Sequence, residues 1–472
     1  MPTPASSTRV AILGAGITGL TATWRLHQAG LKVTVFEKSG HVGGAIGAVR
    51  SDGWLHERGP NSLLEGSAQV TSLIDSLGLT SRKLYAASAA KRRYVIRNGR
   101  LVPLPSTPFG FIGTPLFSWR AKFGLLGEPW RPRSRPMDEE TVAEFVVRRL
   151  GQEFLDYAIN PFVGGVYAGD PARLSVRHAF PKLHALEQEH GSLIRGAIRR
   201  RNSSGGPKGQ MFSFPLGLGE LPGAIGNRLG DAIRLRHAVL GIRRRTDDWQ
   251  ITYEINGEQR VESFDAVVCA LPANGLAALT FDGVPAAKEL TNLSAIEQPP
   301  VASIFMGYRR EDVSHPLDGF GLLAPAVEQR NILGTLFSST LFPGRAPNGF
   351  VGLTSFVGGM RNPALIQLDD AALVALVHKE LCHLLGARAA PVYTHVQRCP
   401  RAIPQYAVGY QHFHRIMSQL EASAPGLFIG GNCRDGISLS NCIASGERLA
   451  SAVLRGLTQT VPATQLNHVS RP

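Results

Sequence analysis

Apolar runs and helically spaced apolar positions alternate at the start of the chain. Val10-Ala11-Ile12-Leu13 is an uninterrupted apolar run of strand length, and from Ile17 to Trp24 apolar side chains recur at helical spacing. A second apolar run, Val33-Thr34-Val35-Phe36, follows and ends at Glu37. The pattern predicts a strand, a helix and a second strand, which is the beginning of an α/β domain.

The turn between the first strand and the helix has the glycine spacing of a dinucleotide site. Gly14 permits a tight turn, Gly16 lets the backbone approach a pyrophosphate, and Gly19 lets the helix pack on the strand. The helix N-terminus offers free N–H groups to the phosphates. Glu37, about twenty residues on, can accept hydrogen bonds from a ribose diol and repels a 2′-phosphate, which disfavours NADP.

A glycine pair, Gly43-Gly44, follows the second strand at the point where a second close approach to a diphosphate is needed. This favours FAD over NAD. Many FAD enzymes of this type place an arginine beside the pair, whereas here Val42 and Ala45 flank it.

The middle of the chain returns to a strand pattern. Apolar positions alternate from Ile251 to Ile255, Asn256-Gly257 offers a two-residue hairpin turn, and Val267 to Leu271 reads as a buried strand. No second dinucleotide motif follows, so electrons leaving a flavin must go elsewhere. Molecular oxygen and a membrane quinone are the simple acceptors.

The C-terminal pattern predicts one more strand and helix around a glycine turn. Leu427 to Ile429 reads as the strand, and apolar positions from Ile443 to Leu454 mark one helix face. Free N–H groups of Ile437, Ser438 and Leu439 at the helix start could face a flavin pyrimidine and stabilise negative charge there.

Composition and charge limit the classes of molecule that this 472-residue chain is expected to bind. The net charge of +14 is compatible with an anionic substrate, an anionic membrane surface or nucleic acid, but no nucleic-acid module surrounds the basic runs. The cysteines form no metal-ligand cluster, and the start of the chain has no signal-peptide pattern, so a cytoplasmic protein without a metal is expected.

Residues 101–130 mix arginines with aromatic residues and suit either an interfacial membrane surface or an irregular helical subdomain. These aromatic residues are Phe109, Phe111, Phe117, Trp119, Phe123 and Trp130.

Several longer blocks carry a resemblance to a known family. They are Arg58 to Ser62, Lys91 to Tyr94, Gly164 to Ser175, Phe180 to Leu183, Gly191 to Gly196, Gly319 to Pro325, Ile403 to Tyr406 and Gly430 to Cys442. Together they resemble oxygen-dependent protoporphyrinogen oxidase, within the wider amine oxidase and phytoene desaturase relatives. The resemblance covers nearly the whole chain.

The resemblance implies an α/β fold of three parts. A Rossmann-like FAD-binding domain is expected from residues 1–90, 211–285 and 420–472. A helical membrane-associating domain is expected over residues 91–210, and a mixed-sheet α+β substrate domain over residues 286–419. The implied location is cytoplasmic and peripheral on the inner face of the cell membrane.

The implied reaction is the six-electron oxidation of protoporphyrinogen IX to protoporphyrin IX, with FAD as carrier, O2 as acceptor and H2O2 as product. Oxidation of coproporphyrinogen III, a flavin amine oxidase or desaturase, and a noncatalytic flavoprotein that delivers tetrapyrrole remain alternatives. A homodimer and a downstream chelatase that takes the product directly are left open.

The resemblance also implies roles for individual residues. Arg93 is similar to the arginine that pairs with a substrate propionate, and Gly165 to the backbone that edges the cavity. Asn61 lies near the reacting centre, where a neutral amide can position substrate. The apolar residues expected to sandwich the macrocycle are Phe320, Leu323 and Phe356.

The predicted cofactor contacts come from the motifs and the resemblance together. The backbone of Val239 is expected to meet the adenine, and the stretch from Gly59 to Ser62 to pass near the flavin. Gln405 and Tyr406 occur where amine oxidases carry a flavin-linking cysteine, so noncovalent FAD is expected. The full set is Gly14, Ala15, Gly16, Ile17, Thr18, Gly19, Glu37, Lys38, Gly43, Gly44, Ala45, Gly59, Pro60, Asn61, Ser62, Val239, Gly436, Ile437, Ser438 and Leu439.

Overall fold

The computed structural model describes residues 8–135, 139–203 and 209–459. Its strands, in chain order, are β1 (Arg9–Leu13), β2 (Lys32–Glu37), β3 (Ala48–Ser51), β4 (Trp54–Glu57), β5 (Leu63–Leu64), β6 (Leu84–Tyr85), β7 (Arg92–Arg97), β8 (Arg100–Pro103), β9 (Met211–Ser213), β10 (Ile233–Leu235), β11 (Ala238–Arg244), β12 (Trp249–Ile255), β13 (Glu258–Phe264), β14 (Ala266–Cys269), β15 (Thr280–Asp282), β16 (Val301–Arg309), β17 (Gly319–Leu323), β18 (Gly334–Leu336), β19 (Phe350–Gly358), β20 (Tyr393–Cys399) and β21 (Leu427–Ile429).

The helices lie between these strands. The α-helices are α1 (Ile17–Gln28), α2 (Ala68–Ser76), α3 (Pro108–Gly113), α4 (Trp119–Gly124), α5 (Val142–Arg149), α6 (Gln152–Phe154), α7 (Asn160–Tyr167), α8 (Val176–Ala179), α9 (Pro181–His190), α10 (Leu193–Ser203), α11 (Glu220–Leu229), α12 (Ala273–Ala277), α13 (Ser338–Leu341), α14 (Asp370–Leu385), α15 (Gln411–Ser423) and α16 (Leu439–Gln459). A π-helical turn, Leu155–Ile159, joins α6 to α7. The 3-10 turns are Thr80–Arg82, Ser88–Lys91, Leu125–Trp130, Gly230–Ala232, Pro285–Ala295, Arg310–Asp312, Ala326–Glu328 and Pro363–Gln367.

A five-stranded parallel sheet has the order β10-β2-β1-β14-β21. It contains the strands of the predicted dinucleotide motif, and we call this part of the molecule the nucleotide side. Its strands come from three distant parts of the chain, with Leu13 opposite Cys269 and Cys269 opposite Ile429. Val10 to Leu13 is fully buried, as expected for a parallel strand covered on both faces. The strand, helix and strand predicted from the apolar pattern are confirmed as β1, α1 and β2.

A second sheet, in the order β13-β12-β11-β15, extends the nucleotide side. The predicted hairpin is confirmed, because β12 and β13 pair antiparallel with Ile255 opposite Glu258. Asn256 and Gly257, at the turn, both have positive φ, at 53° and 81°. Two positive φ angles in a two-residue loop match the twist of the strands that it joins.

A seven-stranded mixed sheet, in the order β20-β16-β19-β18-β17-β7-β8, forms the opposite side. Helix α14 packs on it through Leu373, Val377 and Leu381, which are fully buried. Strands β7 and β8 differ from the expectation that residues 91–210 form a helical part. The apolar run of β7, from Tyr94 to Ile96, is buried, and Tyr94 and Val95 pair with β17, because pairing with the sheet removes these apolar side chains from water.

The helices α3 to α10 form a separate layer around a buried ion pair. The Arg149 guanidinium donates to the Glu128 carboxylate, and both side chains are fully buried. Glu128 also accepts hydrogen bonds from the Ser192 hydroxyl and from the Leu193 N–H, at 3.0 Å for the latter. A buried carboxylate is stabilised by donors of this kind, so the pair ties the start of α10 to the rest of the layer.

The aromatic residues of this layer divide into two groups. Phe117 is buried and stacks on Phe154 at 4.3 Å between ring centroids, and Phe111 packs against both. Of the two alternatives for residues 101–130, the packed helical subdomain therefore holds for Phe111 and Phe117, because Phe117 lies in the core of the layer and Phe111 packs against it. The exposed rings are Phe109 (86%), Trp119 (59%), Phe123 (64%) and Trp130 (77%). Among the described helices, none combines the length and apolar character needed to cross a membrane.

Candidate active site

The glycine turn after β1 leaves open space where a ligand would lie. Gly14 has a φ of 97°, and its N–H donates to the Phe36 carbonyl at 2.8 Å. A Cβ on Gly19 would come within 2.0 Å of the Gly14 carbonyl oxygen, so only glycine lets α1 pack this closely. A Cβ on Gly16 would meet no atom within 4 Å. The space beside Gly16 is thus free to receive a pyrophosphate.

Glu37 is oriented toward this turn by two backbone hydrogen bonds. Its Oε2 accepts from the Ala15 N–H at 2.9 Å, and its Oε1 accepts from the Ser39 N–H at 2.8 Å. Each carboxylate oxygen keeps a lone pair for a further donor. The carboxylate is therefore held at the end of β2 and retains the capacity to accept a ribose hydroxyl.

Two further segments meet the same turn. The Gly43 N–H donates to the Ala15 carbonyl at 2.8 Å, and a Cβ on Gly44 would lie 3.4 Å from the Gly16 Cα. A Cβ on Gly59 would come within 2.4 Å of the Ala45 carbonyl oxygen. The two glycine loops and the stretch from Gly59 to Ser62 therefore form one continuous backbone surface.

The remaining predicted cofactor contacts come from the chain's middle and end. The His237 N–H donates to the Glu37 carbonyl at 2.9 Å, which places the start of β11, with Val239, beside the end of β2. The Thr18 hydroxyl donates to the Cys442 carbonyl at 3.1 Å and joins the first turns of α1 and α16. Within the described chain, the N–H groups of 437–439 donate no hydrogen bond. Two helix N-termini with free N–H groups thus lie together, as an anionic dinucleotide requires.

The predicted substrate residues meet on the mixed sheet. A Cβ on Gly165, in α7, would come within 2.5 Å of the Leu323 side chain on β17. Gly334 on β18 lies beside the same side chain and directly opposite Phe356 on β19. Leu323, Phe356 and the backbone of α7 therefore form one apolar wall that has no room for a side chain at residue 165.

Arg93 and Phe320 continue this wall along the sheet. Arg93 lies opposite Gly321, and its guanidinium carbon is 5.1 Å from the Phe320 ring centroid, which is a cation–π arrangement. Its neighbour Arg92 pairs with the Asp318 carboxylate, whereas no described carboxylate forms an ion pair with Arg93. Arg93 is thus an exposed cation, resting on an aromatic ring and available to an incoming carboxylate.

Asn61 borders a small cleft between β4 and the segment from Leu341 to Arg345. Its Nδ2 donates to the Gly59 carbonyl at 3.0 Å. Leu341 and Phe342 line the cleft and also pack against Phe320. The cleft residues are Leu55, His56, Glu57, Asn61, Ser338, Leu341, Phe342, Arg345 and Thr354.

A buried ion pair lies at the base of this cleft. Glu57 and Arg345 approach to 3.3 Å, and Arg345 also donates to the Ser213 hydroxyl at 2.8 Å. Burial raises the pKa of Glu57 to about 7, while the Arg345 charge and the Leu218 N–H limit that rise. Burial lowers the pKa of His56 to about 4, so this imidazole is neutral at neutral pH.

The structure adds residues that the sequence analysis missed. Leu336 on β18 lies opposite Gly321 and packs with Phe320. Glu57 and Arg345 are 288 residues apart, and no local spacing relates them. The sequence indicated only that Glu57 needs a partner. This glutamate ends the buried strand β4, and a buried carboxylate requires a hydrogen-bond donor or a counter-charge.

The family model described as flavin containing amine oxidoreductase matches residues 17–454. Protoporphyrinogen oxidase 2 of Arabidopsis thaliana is 36% identical over 95% of this chain and 94% of its own length. Protoporphyrinogen oxidase of Nicotiana tabacum is 37% identical over 95% of each chain. Coproporphyrinogen III oxidase of Staphylococcus aureus is 29% identical over 95% of this chain and 99% of its own length.

Solved structures give the same fold. A provisionally named protoporphyrinogen oxidase from Exiguobacterium has a TM-score of 0.80 at 25% identity, over 95% of this chain and 98% of that one. A reduced UDP-galactopyranose mutase has a TM-score of 0.72 at 18% identity, over 96% of this chain and 94% of that one, and shows the fold alone.

Proposed function

The chain belongs to the flavin-containing amine oxidoreductases and uses FAD, and from that premise we propose that it oxidises protoporphyrinogen IX to protoporphyrin IX. The observation that carries the proposal is the apolar wall with Arg93 at one end. A porphyrinogen is a broad apolar ring system with carboxylate side chains, and it needs both features at once. An amine substrate, which is a cation, would not be drawn to an exposed arginine.

In this proposal, each residue of the wall has a role in binding or orienting the substrate. Leu323 and Phe356 cover the macrocycle and exclude water from it, while the absence of a side chain at Gly165 lets α7 lie against Leu323 and complete the wall. The Arg93 guanidinium pairs with a propionate and sets the rotation of the ring. Bound FAD supplies a hydride acceptor. Rotation matters because each round of oxidation requires a methylene carbon at near-attack distance, about 3–3.5 Å, from the acceptor.

The N-terminus of α16 supports the same chemistry electrostatically. The N–H groups of 437–439 would face the flavin and would stabilise negative charge there. We assign O2 as the final acceptor, with H2O2 as product, because the longer sequence blocks resemble the oxygen-dependent family and the sequence has no second dinucleotide motif for a nicotinamide. We also assign noncovalent FAD, because Tyr406 cannot form the thioether that a cysteine would provide. Acid precipitation that leaves flavin bound to the polypeptide would contradict this assignment.

The proposal is tested by assaying the purified holoenzyme with two chemically reduced substrates. Protoporphyrinogen IX should yield fluorescent porphyrin together with three equivalents of H2O2 per porphyrin, since six electrons pass in three pairs. Faster turnover of coproporphyrinogen III would instead assign the activity of the Staphylococcus aureus relative. Flavin reduction by neither porphyrinogen under anaerobic conditions would exclude both.

Replacing Arg93 with alanine is expected to raise the KM for protoporphyrinogen IX about tenfold to a hundredfold, because an exposed charge-assisted pair is lost from binding. The bound flavin spectrum should not change, since Arg93 lies on β7 against Gly321 and Phe320, away from the glycine turn after β1. Arg100→Ala is the matched control, because Arg100 is an exposed arginine on the adjacent strand β8. Equal KM values for the two variants would remove Arg93 from the substrate site.

We further propose peripheral attachment to an anionic membrane through α3, α4 and the 3-10 turn that follows. The four exposed rings of this segment are interleaved with basic residues, and Lys122 lies 4.5 Å from the Trp119 ring centroid. Aromatic rings beside lysine and arginine suit the headgroup region of a bilayer.

Replacing Phe109, Trp119, Phe123 and Trp130 by serine should weaken cosedimentation with phosphatidylglycerol vesicles at least tenfold, because apolar area is no longer buried in lipid. Val261→Ser with Val392→Ser removes exposed apolar side chains from other surfaces and should leave binding intact. Undiminished binding of the fourfold variant would place the contact elsewhere.

A further inference from the structure

The tyrosine hydroxyl at residue 406 connects two backbone groups of the turn before α16. It donates to the Asn432 carbonyl at 2.6 Å and accepts from the Gly436 N–H at 2.8 Å. The side chain is buried, and burial raises the pKa of Tyr406, so the phenol remains protonated. A protonated phenol can donate and accept at once, which is what this position requires.

Asp435 holds the first part of this turn, because its Oδ2 accepts from the Gly431 N–H at 3.2 Å, whereas the Gly436 N–H is held by Tyr406. Gly436 has a φ of 113°, and a Cβ there would come within 2.0 Å of the Asn441 side-chain nitrogen. Gly436 directly precedes the free N–H groups of 437–439 at the start of α16. The direction of those N–H groups therefore depends on how Gly436 is held.

The same loop also reaches the substrate wall. Gln405 is buried beside Tyr406, and its Nε2 donates at 2.9 Å to the carbonyl of Tyr167, the last residue of α7. The segment Ile403 to Tyr406 thus bridges the helix that carries Gly165 and the helix N-terminus that faces the cofactor segments.

We propose that Tyr406 is a positioning residue that orients the N-terminus of α16 toward the flavin and so tunes flavin affinity and reduction potential. This inference rests on the cofactor placement in the proposed function. The N–H groups stabilise the reduced, anionic ring more than the oxidised ring, so correct orientation raises the midpoint potential. Substrate binding at Arg93 does not depend on it.

A nearby tyrosine provides a matched control. The Tyr410 ring centroid is 4.3 Å from that of Tyr406, and its hydroxyl donates to the Cys433 carbonyl at 2.7 Å. Tyr406→Phe and Tyr410→Phe each remove one buried hydroxyl and one donation to a carbonyl. Only Tyr406→Phe also leaves the Gly436 N–H without its acceptor.

The test compares these two variants with the wild-type protein. FAD affinity is measured by fluorescence titration of the apoprotein, and the midpoint potential by equilibration with redox dyes. Tyr406→Phe should bind FAD about tenfold more weakly than Tyr410→Phe and show the lower potential, with an unchanged KM for porphyrinogen. Equal affinity and equal potential in the two variants would overturn the inference.

Two further outcomes are decisive. If Tyr406→Phe does not fold, as judged by far-ultraviolet circular dichroism, 3,5-difluorotyrosine at residue 406 keeps the ring and weakens the hydroxyl as an acceptor. A fall in potential then supports the inference, and an unchanged potential overturns it. Wild-type apoprotein that takes up no FAD would overturn the proposed function together with this inference, so the two failures are distinguishable.

Discussion

Replacing Gly16 with valine is expected to give a folded protein without bound flavin. The space beside Gly16 is open, so the new side chain meets no protein atom within 4 Å of its Cβ and folding is preserved. The same side chain then occupies the volume that a pyrophosphate needs, and FAD affinity should fall at least a hundredfold, or about 3 kcal/mol. The measurement is the absorbance of bound flavin after purification and after reconstitution with FAD.

Two other glycines provide controls for this result. Gly113→Val also places a side chain in open space, but in α3, far along the chain from the cofactor segments, and should retain flavin. Gly19→Ala should fail differently, because its Cβ would lie 2.0 Å from the Gly14 carbonyl oxygen and would force α1 off the sheet. A yellow, fully loaded Gly16→Val protein would contradict the assigned cofactor loop.

The second large effect is expected from Arg345→Met. The substitution leaves the Glu57 carboxylate buried without its counter-charge and removes the hydrogen bond to Ser213. Breaking a buried pair in this way costs about 3–5 kcal/mol, which is a large part of the stability of a folded domain. Denaturant unfolding followed by circular dichroism, carried out above the folded pKa of Glu57 of about 7, measures the loss.

The double variant Glu57→Gln with Arg345→Met is the control, because it removes both charges. It should recover much of the lost stability, and a double variant no more stable than the single one would show that packing at Arg345, rather than charge, is responsible.

The pair also gives stability a defined dependence on pH. The folded pKa of Glu57, about 7, lies above the value of 4.5 for an unpaired glutamate. The folded state therefore binds the proton more tightly, and this contribution to stability is present below about pH 4.5 and is lost as the pH rises through about 7. Arg345→Met raises the folded pKa further, so its stability should decrease more steeply than that of the wild type between about pH 5 and pH 8.

Much of the nucleotide side could be predicted from the sequence because its signals are local. An apolar run, a glycine turn and a helical period determine β1 and α1 without reference to the rest of the chain. The hairpin at Asn256-Gly257 follows from the ability of these two residues to adopt positive φ. The longer blocks of the family resemblance then located Arg93 and the apolar wall.

The sequence did not predict the burial of residues whose contacts lie far away along the chain. The basic run from Lys91 to Arg93 gave no indication of the strand β7. The burial of this strand depends on pairing with β17, which lies more than two hundred residues later in the chain. Phe111 and Phe117 have the same local surroundings as the exposed rings, but Phe154 covers them.

The sequence by itself determined the cofactor class and the glycine positions, because backbone freedom and helix periodicity are properties of neighbouring residues. Only the tertiary structure decided which charges are buried together, as with Glu57 and Arg345, and which hydroxyl supports the turn at Gly436. Such pairings depend on long-range packing, where burial requires each polar group to find a partner from whichever segment lies beside it.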